Sequence, residues 1–403
     1  MTIDLAEWLN LAIRWLHLTA GIAWIGSSFY FVWLDNHLTP PASGEASGEL
    51  WSVHGGGFYH NQKYQVAPSQ MPDRLHWFKW EAYFTWISGF SLLVLVYYVG
   101  AQSYLIDPAK AALSPAEAIA IGLVALGVGW LFYDLLCRSP LGKNNRLLGV
   151  VWFAFLLVAA ILLDRVFNAR AAYMHIGAMM GTAMVANVFF VIIPNQRKVV
   201  ADLVAGRTPD PALGKAAKQR SLHNNYMTLP VLFIMMSHHY PMTYGAQRPW
   251  LVLALLGPTG VAVRHVFNLR HRAQPTGPAM VLAAVLALAS VTYVSMEKSA
   301  AVSTPAADVA EQPTPAATVV FTDIEPILMK HCVGCHSAHP TNPAFTAPPL
   351  GVVMDSYGHV RALSARIRKV AVDSEVMPLG NATGMTKLER QKLGAWIAAG
   401  APR

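Results

Sequence analysis

Eight apolar stretches of bilayer-crossing length run through most of the 403-residue chain, and they constrain its fold more than any other feature. A transmembrane helix needs about 20 consecutive, predominantly apolar residues. Runs of that kind lie at about 6–33, 78–100, 114–136, 147–164, 171–193, 224–240, 249–268 and 277–296. The sixth is the weakest, being short, interrupted by Pro230 and rich in Met. Composition fits a membrane protein with a soluble appendage: 54% of residues are hydrophobic and only 13% charged. The expectation is an all-α protein whose residues 1–296 form an eight-helix transmembrane bundle. From Glu297 to 318 the sequence turns to Ala, Pro, Thr and Ser, the composition of a flexible linker. Residues 319–403 then read as a small separate domain.

That domain carries His331-Cys332-Val333-Gly334-Cys335-His336. Cys-x-x-Cys-His is the attachment signature of a c-type haem. The thiols of Cys332 and Cys335 would bond to the two vinyl groups of one porphyrin, and His336 would be the proximal iron ligand. A zinc site would want a second pair of Cys or His ligands at similar spacing. The one remaining cysteine, Cys137, lies in a distant apolar run. A thioredoxin-like pair would sit in a βαβ context and need no His. In small c-type cytochromes a Met usually supplies the sixth ligand. Of Met354, Met377 and Met385, Met377 is the expected one, because Pro378 follows it in a rigid turn. The segment resembles a class I cytochrome c. Thr322-Asp323-Ile324-Glu325 reads as a capping box ahead of the haem motif, and Thr386-Lys387-Leu388-Glu389 as another. The second would open a helix with Leu393, Trp396 and Ile397 on one face.

The net charge of +8 does not point to nucleic acid, because the basic residues form no stripe. They follow the positive-inside rule instead. A haem c is attached outside the cytoplasm, so 319–403 belongs outside, and eight spans then put the N-terminus there too. The inner loops hold Lys63, Arg74, Arg138, Lys143, Arg146, Arg197, Lys198, Arg207, Lys215, Lys218, Arg220, Arg270 and Arg272, thirteen in all. The outer loops hold four: Lys110, Arg165, Arg170 and Arg248. The expected location is the inner membrane, with both termini and the cytochrome domain periplasmic.

Ionisable residues inside apolar spans are costly and are functional candidates by default. Arg14 and His17 share one face of the first span. His76, Lys79 and Glu81 crowd the start of the second, and His175 lies in the fifth. Opposed histidines on two helices can hold a haem b, and His17 with His175 is the natural pair. Arg264 in the seventh span, like Lys79, has snorkelling to the interface as its plain alternative. The loop His54-Gly55-Gly56-Gly57 could present backbone N–H groups to an anion or be simply flexible.

Several stretches resemble the bacterial membrane-bound, cytochrome c-linked urate oxidases. They are Gly26-Ser27-Ser28-Phe29-Tyr30, the loop from His54 to His60, Leu75 through Tyr83, and Met174-His175-Ile176-Gly177. The similarity covers the whole chain, including the order of its two parts. It implies oxidation of urate to 5-hydroxyisourate, with electrons passing through haem c to a soluble cytochrome c or a terminal oxidase. It assigns no catalytic motif, so Arg14, His17, His76, Lys79, Glu81 and His175 are candidates on their chemistry alone. Urate is a planar monoanion whose site needs a cation, amide partners and an aromatic wall. Two rival readings are a quinol-linked oxidoreductase with haem b feeding haem c, and a transporter or membrane anchor with a cytochrome relay.

Overall fold

The computed structural model of the protein describes residues 5–42, 44–65, 67–69, 71–108, 110–303, 319–342, 345, 348–373 and 376–403. Helix α1 (Leu5–His37) precedes the strands β1 (Gly48–His54) and β2 (Gly57–Lys63). Then come α2 (Trp80–Leu93), α3 (Ala101–Tyr104), α4 (Pro115–Arg138), α5 (Asn145–Asp164), α6 (Ala169–Ala186) and α7 (Ile193–Val204). They are followed by α8 (Pro211–Ser237), α9 (Pro241–Tyr244), α10 (Pro249–His271) and α11 (Gly277–Ser303). The C-terminal part holds α12 (Phe321–Leu328), α13 (Tyr357–Ala362), α14 (Ser364–Ile367) and α15 (Lys387–Ala398).

A helix lies over each expected apolar span, and local chemistry marks the starts. Ser114 and Glu117 form a reciprocal capping box on α4, while Asn144, Asn168 and Asp210 cap α5, α6 and α8 through their side-chain oxygens. Among the described residues five segments are long and apolar enough to cross a membrane: α4, α5, the continuous 36-residue helix of α6 and α7, α10, and Gly277–Met296 of α11. The other three are more polar or shorter. α1 interrupts its apolar run with Arg14, His17, Ser27 and Ser28. α2 has 14 residues before it widens into a π-turn, and the first half of α8 carries Lys215, Lys218, Arg220 and His223. α11 runs on to Ser303, past the expected end of the eighth span, so the expected linker begins inside a helix. Residues 304–318 of that linker lie outside the described residues.

The all-α expectation needs one correction. β1 and β2 form an antiparallel hairpin in which Trp51 pairs with His60 and His54 with Gly57. Gly55 and Gly56 both have positive φ, 59° and 80°, the backbone that a two-residue hairpin turn requires and that glycine adopts without strain. The glycines serve the turn. Trp51 stacks on His60 at 4.1 Å, and His60 Nε2 lies 2.9 Å from Glu49 Oε2.

Three hydrophobic clusters lie among the described residues, the smallest built on Ala82, Val185, Val188 and Ile193, and the other two organise the chain's two parts. The larger collects Tyr97, Leu105, Ile106, Leu126, Tyr133, Trp152, Phe167 and Ile176 from α2 through α6. The smaller, in the C-terminal region, is built on Ile324, Leu328, Val360, Ile367, Leu393 and Trp396. The two regions touch. Val376 packs against the larger core, and Gly380 (φ 62°) sits so close to α3 that an added Cβ would meet the Ile106 carbonyl oxygen at 2.8 Å. The turn that carries Met377 thus rests on the loop between α3 and α4.

The expected helix at the C-terminus is α15, with Leu393 and Trp396 fully buried and the Thr386–Glu389 capping box in place. The first expected box is displaced. α12 starts two residues earlier, with Asp323 Oδ2 accepting from Val320 N at 3.0 Å, because Asp323 reaches back to the residue before Phe321. Glu389 also accepts from His331 and Lys330, each at 3.2 Å. The Thr386 backbone N–H, then His331 and the Thr386 hydroxyl, hold its carboxyl at about 2, below the ordinary 4.5. A depressed carboxylate stabilises above its unfolded pKa, and the contribution is lost as pH falls through the folded value. Protection of α15 from hydrogen exchange, pulse-labelled at one pH after acid incubation, is therefore expected to fall between pH 4.5 and 2 in the wild type. Glu389→Gln lacks that step and starts with lower protection at pH 7; identical acid profiles would contradict the assignment.

Candidate functional site

The C-terminal site is assembled by the turn that ends α12. The helix widens over Met329–Val333, and the N–H groups of Cys335 and His336 both bond back to the Cys332 carbonyl, at 3.2 and 2.9 Å. Cys332 and Cys335 are free, half-buried thiols. Burial, and then the neighbouring Cys335, push the Cys332 thiol up to about 11. His336 Nδ1 lies 3.2 Å from the Val352 carbonyl. The Nδ1–H therefore donates there and leaves the Nε2 lone pair for a metal, the arrangement of a ligating imidazole. Burial keeps His336 below the ordinary histidine pKa, hence neutral. His331, by contrast, spends both nitrogens on Thr383 and Glu389. Met377 packs in the same core as Cys332. Its backbone is clamped by Val370 at 2.8 Å and by the Arg390 guanidinium at 2.6 Å. Met385 is buried, packing in that core, with its N–H bonded to Asn381. These residues fit a covalent haem with a His ligand and a half-buried Met available to it.

The face that this site presents to the helices carries a second cluster. Cys335 lies within electrostatic reach of Tyr104, and so does Arg170, in the first turn of α6. Arg170 is hydrogen-bonded to the Tyr97 hydroxyl and within reach of Arg14, His238 and Tyr244. Asn168 fixes the start of α6 by accepting from Arg170 N at 3.0 Å. Two buried atoms in this cluster have no partner: Arg170 Nε and His238 Nε2. His238 Nδ1 donates to the Met235 carbonyl at 2.5 Å, which leaves Nε2 as the free nitrogen of the ring. An unpartnered donor on a cation and an unpartnered ring nitrogen therefore belong to side chains within electrostatic reach of each other. That pairing suits a small anion with a removable proton.

Of the sequence candidates, Arg14 joins this cluster. His17 does not stand opposite His175. His17 Nδ1 bonds the Thr85 carbonyl at 2.9 Å and approaches Ser88 at 3.2 Å, between α1 and α2. His175 is fully buried between α6 and α4, donating to the Ala171 carbonyl at 2.8 Å and facing the Tyr98 hydroxyl at 3.2 Å. Both its nitrogens have protein partners. His76, Lys79 and Glu81 are near in sequence but make no bond to one another among the described residues. His76 packs edge-on to Phe78 at 4.6 Å, Lys79 lies over Trp80 at 5.4 Å, and Glu81 keeps a buried, unpartnered Oε2. Arg220, read as an inner-loop charge, is instead buried in α8 and paired with Asp134 at 2.8 Å. It belongs to a satisfied network with Asn187, Asn224, Tyr133 and His223.

Sequence reasoning missed Arg170, Tyr97 and His238. Arg170 was counted as an outer-loop charge, whereas it lies one residue inside α6 and half-buried. The signal for His238 was its place after Ser237, a polar pair ending an otherwise apolar run.

Comparison with known families matches residues 3–295 to a family model described as "Urate oxidase N-terminal". Comparison with curated proteins finds no match, and comparison with solved structures finds none either.

Proposed function

This chain belongs to the urate oxidase N-terminal family, and from that membership we propose that it is a membrane-bound urate dehydrogenase with its own haem c. In this reading eight helices cross the inner membrane, and the C-terminal region is a periplasmic class I cytochrome c. The family match extends over the helical part and supports a urate-related oxidoreductase. The observation that carries the finer reading is the pair of unpartnered atoms Arg170 Nε and His238 Nε2, with Arg170 and Cys335 both within electrostatic reach of Tyr104.

Urate monoanion plus water gives 5-hydroxyisourate, one proton and two electrons. Arg170, oriented by Tyr97, binds the anion, with Arg14 adding positive charge. His238 Nε2 takes the proton as water adds to the ring. A neutral imidazole in reach of the proton it removes is the ordinary form of general-base catalysis. Cys332, Cys335, His336 and Met377 would hold the haem, and the chemistry it supplies is acceptance of one electron at a time, so each urate needs two transfers. His17 and His175 are left with structural roles between helices. The expected result under nitrogen, with a soluble c-type cytochrome as acceptor, is two acceptors reduced per urate consumed. Turnover that requires dioxygen and releases peroxide would overturn the reading.

A further inference from the structure

The helical part contains a second built site that the oxidation chemistry above does not use. A cavity of about 370 Å³ is lined by Phe29, Tyr30 and Trp33 of α1 and by Arg264, Phe267 and His271 of α10. Arg264, for which snorkelling was the plain expectation, is only 3% exposed. Its guanidinium lies 3.6 Å from the centre of the Phe29 ring, and its Nε donates to Asn225 Oδ1 at 3.0 Å. Asn268 Nδ2 donates to the same oxygen at 2.9 Å. Three buried atoms are then left without partners: Arg264 Nη2, Asn225 Nδ2 and Asn268 Oδ1. No carboxylate pairs with Arg264 among the described residues. A buried cation without a counter-charge and three unmade hydrogen bonds are each costly. Arg264 lines the cavity, and Asn225 and Asn268 adjoin it through the shared Asn225 oxygen, so a ligand seated against Arg264 meets this cluster at its edge.

The unmade bonds describe that ligand. Arg264 Nη2 and Asn225 Nδ2 call for acceptors, and Asn268 Oδ1 calls for an N–H. The charge calls for a monoanion, and the aromatic walls call for a flat ring. A phosphatidylglycerol headgroup offers no N–H and would leave Asn268 Oδ1 unpaired, and a phosphatidylethanolamine carries its N–H groups on a flexible ammonium with no flat ring for the aromatic walls. The site is remote from the oxidation cluster. Tyr173 bonds the Pro249 carbonyl at 2.5 Å, which ties the start of α10 to the start of α6. At 1.5 Å per residue, Arg264 lies roughly 22 Å further along α10, and Phe29 as far along α1 from Arg14.

We propose that this cavity binds an oxopurine monoanion of the urate class, at the end of the helices away from the cytochrome, as a receiving site on the cytoplasmic side. The proposal rests on the urate reading. Its test is equilibrium dialysis of radiolabelled urate against the dithionite-reduced full-length protein, in which bound urate has no electron acceptor. The expected stoichiometry is two urates per wild-type chain, one in Arg264→Gln and one in Arg170→Gln. Asn268→Leu keeps the charge while removing the acceptor, and is expected to weaken the same site at least tenfold. Unchanged binding in both cavity variants overturns the proposal. Loss of co-purifying phospholipid in Arg264→Gln, with urate stoichiometry unchanged, also overturns it and assigns the cavity to a headgroup. Failure of the urate reading itself looks different: the wild type binds no urate, and urate does not reduce its oxidised haem.

Discussion

Changing Cys332 and Cys335 together to Ala is expected to abolish covalent haem completely. Each thioether consumes one thiol, and Cys137 is the only other cysteine in the chain. His336 alone cannot hold a porphyrin through denaturation, because its bond to iron depends on the folded turn around Cys332. On a denaturing gel stained for haem, the wild-type band disappears in the double variant, and each single variant loses a large part of it. A band of wild-type intensity from the double variant would sink the attachment.

The second large effect belongs to His238. Its Nε2 is unpartnered in the Arg170 cluster, and in the proposed reading it is the general base, whose loss typically lowers the rate by ~10²–10⁴-fold. His238→Asn is expected to reduce kcat by that amount while KM stays within a few-fold, because Asn has no comparable basicity. Arg170→Gln is expected to act on the other parameter. It removes a charge-assisted hydrogen bond to a bound anion, about 1.5–3 kcal/mol, which is ~10–150-fold in KM. This division distinguishes a base from a binding cation. Both variants keep the haem-binding residues, so equal haem content normalises the rates. A kcat for His238→Asn within a few-fold of wild type would remove His238 from the mechanism.

Long-range order in this chain was legible where a single physical rule dominates. Apolar runs announced helices because lipid leaves no other use for twenty consecutive apolar residues. The spacing from His331 to His336 brings its two thiols and the His336 imidazole onto one turn, closed by the Cys335 and His336 N–H groups on the Cys332 carbonyl. Thr386 and Glu389 announced α15 through their reciprocal cap. What stayed hidden depended on contacts between distant segments. His17 and His175 looked alike in sequence, yet one packs against α2 and the other against α4. Their separation follows from glycines on the neighbouring helices, since a Cβ on Gly89 would meet the His17 ring at 2.8 Å and one on Gly122 the His175 ring at 2.6 Å. Arg170 and His238 stand 68 positions apart and come within electrostatic reach only because α6 begins at the side where α8 ends. Charge counting registered Arg170 as a loop residue, and no periodic pattern marks an orphaned nitrogen. The hairpin was missed for a local reason: three glycines in a row fit a flexible loop and a tight turn equally well.

The central claim is that electrons from urate enter the haem carried by this same chain. The most direct measurement is an anaerobic titration of the oxidised, purified protein with urate, followed through the absorption band of reduced c-type haem. The account predicts full reduction at half an equivalent of urate per haem, because each urate yields two electrons, and formation of 5-hydroxyisourate in the same proportion. An oxidised haem that stays oxidised with excess urate, in protein that retains its covalent haem, would contradict it.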